Sequence, residues 1–90
     1  MEETITVEIT KDDIEKAGDY WSPRQCLLAQ ALRRLHPKSF IEVYEKLFQV
    51  DGEYYCFGQK TVENLKVCGG MIRRGRRDKI KPFTFEAYQI

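Results

Sequence analysis

An α+β fold with a mostly antiparallel sheet is the class this sequence predicts, and three observations predict it. Residues 4–10 alternate strictly between polar and apolar. Leucines recur at helical spacing over residues 26–35. An Asp-Gly pair at 51–52 stands between two aromatic-bearing arms. Ninety residues make one domain, 1–90, in which roughly 60 to 65 per cent of the unfolded surface is buried. A hydrophobic content of 42% supplies a core, which excludes disorder as a description of the whole chain.

The first element is an N-terminal strand, with Ile5, Val7 and Ile9 on one face and Thr4, Thr6, Glu8 and Thr10 on the other. Thr10 then caps a short helix, with Asp12 and Asp13 at its positive end, and Gly18 is expected to end it in the left-handed conformation. Ser22 and Pro23 read as the cap and first position of the main helix, with Gln25 completing a capping box and Tyr20-Trp21 as a hydrophobic staple. That helix buries Leu28, Leu32 and Leu35, leaves Gln30, Arg33 and Arg34 to solvent, and stops at His36-Pro37.

Asp51-Gly52 predicts a two-residue hairpin turn that pairs Leu47 with Cys56, Phe48 with Tyr55 and Gln49 with Tyr54. Residues 39–44 also alternate, so the first arm is expected to be long and bent. A second capped helix starts at Thr61 and carries Val62, Leu65 and Cys68, with a break or close backbone approach at Gly69-Gly70. A C-terminal strand puts Phe83, Phe85 and Ala87 on its inner face. The expected architecture is therefore an N-terminal strand, a central hairpin and a C-terminal strand packed against two or three helices.

Charge is distributed unevenly. Residues 1–19 carry seven acids against two lysines, and the rest carry thirteen bases against seven acids. Six of those bases, Arg73, Arg74, Arg76, Arg77, Lys79 and Lys81, fall within nine positions opposed by Asp78 alone. Arginines splayed about Gly75 suit a phosphate backbone better than a single bidentate base contact. Tyr54, Tyr55, Phe57 and Tyr88 are aromatics on which unpaired bases could stack. The competing readings are a solvated loop, or a basic patch neutralised by the acidic N-terminal segment.

Cys26, Cys56 and Cys68 lack metal-ligand spacing, with each other or with His36, and read as reduced, buried, inert thiols of an intracellular protein. On one helix Cys26 and His36 would stand about 15 Å apart, too far for a nucleophile and its base. No catalytic motif is present, so the sequence calls for no enzyme, no metal and no cofactor. No apolar run approaches membrane-spanning length and the N-terminus lacks signal-peptide features, so a cytoplasmic location and no membrane partner are expected.

Cys26-Leu27-Leu28-Ala29-Gln30-Ala31-Leu32-Arg33 resembles the C-x-x-A-x-A-L-R helix of small proteins of tailed bacteriophages and prophages, and Pro82-Phe83-Thr84-Phe85 their closing P-F-x-F strand. The resemblance extends along most of the chain, with Leu27 where those proteins often have proline and Arg74-Gly75 where they often have an aromatic-Asp pair. It implies a small α+β phage accessory protein and transfers no catalytic residue. The expected function is thus a non-enzymatic accessory or regulatory protein. It would bind nucleic acid, or an acidic protein surface, through Arg73, Arg74, Arg76, Arg77, Lys79 and Lys81. The alternatives are an inhibitor of a host or defence protein acting through Trp21, Tyr54 and Tyr55, and a structural phage protein without separable activity.

Overall fold

The alternating segments at the two ends of the chain find each other. A computed structural model describes residues 4–18 and 26–90. Its elements run β1 (Thr4–Ile9), α1 (Lys11–Lys16), α2 (Leu27–Leu35), β2 (Ile41–Val43), β3 (Leu47–Val50), β4 (Glu53–Cys56), α3 (Gln59–Arg73), a 3₁₀ turn (Arg77–Lys79) and β5 (Phe83–Gln89). The five strands form one curled antiparallel sheet in the order β1-β5-β4-β3-β2, and the fold is α+β. Helix α2 packs on both edge strands, β1 and β2, so the curl of the sheet closes around it.

The hairpin follows the sequence reading. Asp51 and Gly52 both take positive φ (51° and 85°), as a type I′ turn requires. Leu47, Phe48 and Gln49 pair with Cys56, Tyr55 and Tyr54. The preceding arm is not one bent strand, however. It breaks at residues 44–46, where the Tyr44 N–H donates to the Leu47 carbonyl at 2.8 Å, and β2 folds back on β3 to make a three-stranded meander. The Asp51 carboxylate holds the far end of β2 by accepting the Phe40 N–H at 2.8 Å.

Inward-pointing residues make the core. Tyr55, Phe48, Phe57, Phe85 and Phe83 form a file of rings along the inner face with centroids 5.4 to 6.3 Å apart. Helix α2 contributes Leu27, Leu28, Ala29, Ala31 and Leu32, all buried. Leu32 is fully buried, so Leu32→Ala is expected to cost about 2 to 5 kcal/mol in chemical denaturation. A loss below about half a kcal/mol, the range of surface substitutions, would misplace this helix face.

Several helix details differ from expectation. Leu35, in the last turn of α2, is 37% exposed and not buried. Ser22, Pro23, Gln25 and the Tyr20-Trp21 staple lie outside the described residues, and α2 begins at Leu27 after an extended Cys26. Ala17, not Gly18, is where α1 leaves the helical conformation. Helix α3 starts at Gln59, two residues before Thr61, and runs unbroken through Gly69-Gly70. Gly69 is buried on the packed side of α3, and the helix tolerates both glycines because Val62, Leu65, Cys68 and Ile72 anchor it on either side.

Candidate nucleic-acid interface

The basic stretch begins as the end of α3 and is shaped by its termination. Gly75, at φ 74°, supplies the left-handed residue. Its N–H donates to the Ile72 carbonyl at 3.1 Å, and the Arg76 N–H donates to the Met71 carbonyl at 2.8 Å. This reciprocal pair is a Schellman motif, which satisfies the last helical carbonyls and fixes the direction in which the chain leaves. The 3₁₀ turn follows at once, closed by the Ile80 N–H on the Arg77 carbonyl at 3.1 Å, and Ile80 is buried in the core. The six cations therefore run from the last residue of α3, through a short hydrogen-bonded turn, to the approach to β5, and not along a loose loop.

Those six are not equivalent. Arg73, Arg74, Arg76, Lys79 and Lys81 are exposed, and none has an ion pair among the described residues. Arg77 is half-buried, and its Nη1 donates to the carbonyls of Ile14 at 2.6 Å and Glu15 at 3.3 Å. It ties the turn to the C-terminal end of α1, where a cation complements the orphan carbonyls.

The acidic N-terminal segment does touch the basic turn, but through its backbone. Asp12 is paired with Lys16 at 3.0 Å. Asp13 is fully buried and belongs to Arg34, whose Nε lies 3.0 Å from Oδ1 and whose Nη2 lies 3.1 Å from Oδ2. Asp13 also accepts the Thr10 N–H at 2.9 Å while its own N–H donates to the Thr10 hydroxyl at 3.2 Å, a complete capping box. Arg34 is exposed, as the sequence led us to expect, yet it also donates to the Glu8 carbonyl at 2.8 Å, and so links α2, α1 and β1. Lys16 and Arg34 thus occupy Asp12 and Asp13, and neither carboxylate pairs with the basic turn.

The other sequence-selected residues are scattered. Tyr55 and Phe57 are buried in the ring file, so neither offers a stacking or docking face. Tyr54 and Tyr88 are exposed on the outer face of the sheet. Tyr88 stands seven residues along β5 from Lys81, about 23 Å at strand rise, so it does not share a surface with the basic turn. Trp21 lies outside the described residues. Cys26 and Cys68 are buried, and burial pushes both thiols up from their ordinary range, whereas Cys56 is half-buried on the outer face. A cleft of about 230 Å³ lies between α2, α3 and the end of β2, lined mainly by Leu27, Leu28, Val43, Phe57, Leu65 and Ile72. Among the described residues, no helix is long and apolar enough to cross a membrane.

Compared with family models, curated proteins and solved structures, the chain matches none.

Proposed function

We propose that this is a non-enzymatic accessory protein, of the kind the phage resemblance implies, that binds nucleic acid in the cytoplasm through its basic turn. One observation carries this reading: five exposed cations without ion pairs among the described residues stand on a turn held by the Schellman motif, Ile80 and Arg77. A turn whose backbone is already held presents these cations to phosphates without first having to order the chain itself. Phe83, the sheet aromatic next to the turn, is half-buried against Phe85 in the ring file and is not displayed for stacking on a base. The contacts the turn supports are therefore to the sugar-phosphate backbone, with little sequence preference.

Salt provides the test. Duplex DNA or RNA should bind at low ionic strength with log K falling steeply against log salt, at a slope of about −4 for four to five phosphate contacts. The slope should be the same for unrelated sequences. Absence of retardation at low salt, or affinity that does not respond to salt, would overturn the reading.

A further inference from the structure

Among the described residues no helix covers the outer face of the sheet, and the composition of that face is selective. In register across β5, β4 and β3, Tyr88, Cys56 and Leu47 form one row, continued by Tyr44. Ile90, Tyr54, Gln49 and Glu42 form the next. Tyr44, Tyr54 and Tyr88 are 43, 44 and 45% exposed, and Ile90 73%. The rows are one continuous surface: the Gln49 amide donates to the Tyr54 hydroxyl at 3.2 Å, and Glu42 and Tyr54 both lie close enough to push the Tyr44 phenol up, after the effect of its own desolvation.

The charges on this face have one sign. Its outward strand residues include Glu8, Glu42 and Glu86 and no lysine or arginine; Lys46 sits in the neighbouring turn beside Glu45. Carboxylates repel phosphate, so these tyrosines are not a base-stacking platform despite their exposure. Tyrosine rings beside carboxylates suit a guanidinium or ammonium group, which gains a ring face and an ion pair together. Size narrows the occupant further. Two rows across four strands cover roughly 19 by 14 Å, on the order of 270 Å². A stable dimer needs nearer 800 Å² per partner, so this area fits a peptide segment better than a second copy.

We infer that the outer sheet face is a docking site for a short, extended, cationic segment of another protein, with apolar side chains alternating with basic ones. Tyr44, Tyr54, Tyr88 and Ile90 take the apolar side chains, and Glu42, with Glu86 one row beyond Tyr88 on β5, the basic ones. The site lies at the far end of β5 from the basic turn, so both surfaces can be occupied at once.

Fluorescence anisotropy with a labelled peptide of about eight residues, alternating arginine and leucine, tests this against a glutamate-leucine control. The arginine peptide should bind at least about tenfold tighter than the control. Glu42→Lys and Tyr88→Ala should each weaken it about tenfold, with unchanged melting temperatures and unchanged DNA retardation. Arg76→Glu, in the basic turn, should leave peptide affinity unchanged. Equal binding of the two peptides, or indifference to both face variants, would overturn the inference. So would loss of DNA binding in Tyr88→Ala, which would make the face a stacking platform. Self-association in sedimentation that Glu42→Lys abolishes would also overturn it, by making the occupant a second copy. Failure of DNA binding in every variant and the wild type would leave this inference intact and remove only the proposed function.

Discussion

Asp13→Ala should remove about 3 kcal/mol of stability, at the lower end of the range for breaking a buried pair because Arg34 is partly open to water. In a domain of this size that lowers the melting temperature by more than about 12 °C. The loss has three physical parts. The Thr10 N–H at the start of α1 loses its acceptor, the Arg34 guanidinium loses its carboxylate, and the link between α1 and α2 is cut. Arg34→Ala should also be strongly destabilising, because it strands a buried carboxylate. The double variant should cost about 1 to 2 kcal/mol less than the two single losses together. The pH dependence follows from the same contacts. Burial alone would raise the Asp13 carboxyl, but Arg34 and Thr10 outweigh it and hold it below the ordinary range. A carboxyl whose folded pKa lies below its unfolded value stabilises above the unfolded value and ceases to do so as pH falls through the folded one. Stability should therefore decline below about pH 4, more gently in Asp13→Ala than in the wild type. Glu45 and Asp51 are shifted in the same direction, so some acid sensitivity survives in the variant. A loss under about 1 kcal/mol for Asp13→Ala, an ordinary cap effect, would show that the ion pair adds nothing to the capping box.

Local chemistry made the sheet legible and left the clamps hidden. A two-residue turn with positive φ admits few residue pairs, so Asp51-Gly52 announced both the hairpin and its register. Strict alternation announced β1 and β5. The separation of β2 from β3 was not legible, because the reversal at 44–46 contains no glycine, proline or Asx-Gly pair to mark it. The alternation of Phe40, Glu42 and Tyr44 did carry the outward face of β2, and with it part of the tyrosine surface. Arg34 was read as facing solvent and Arg77 as one of the binding cations, and neither reading carried the contacts they make. Their partners, a capping aspartate 21 residues away and carbonyls 62 and 63 residues away, are defined only once the chain has folded. The same holds for Tyr54 and Tyr55, adjacent in sequence and on opposite faces of one strand. Which of them meets water depends on the sheet having one covered side.

Charge reversal within the basic turn should divide its residues into two classes, and the position of Arg77 decides where the line falls. Arg73, Arg74 and Arg76 are exposed and contribute little to folding, as solvated charges do. Replacing all three by glutamate should leave the melting temperature nearly unchanged. The same change exchanges three attractions for three repulsions, so affinity for duplex DNA at low salt should fall by about two to three orders of magnitude. The salt slope should shrink by about 0.9 for each phosphate contact removed. Arg77→Glu should behave differently. It withdraws the donor from the Ile14 and Glu15 carbonyls and places a carboxylate at the negative end of α1, a loss of about 1 to 3 kcal/mol. Added salt should not restore that stability, because the missing interaction is a short hydrogen bond between partly buried groups and is poorly screened. Arg77→Lys should recover part of it, since an ammonium can still donate to a carbonyl. If the triple variant melted early at low salt and recovered in high salt, the exposed arginines would be neutralising nearby carboxylates, Glu15 first among them. The run would then belong to the fold and not to a nucleic-acid surface. If instead Arg77→Glu were as stable as the wild type while losing DNA affinity, the carbonyl contacts would be incidental and Arg77 would join the binding set.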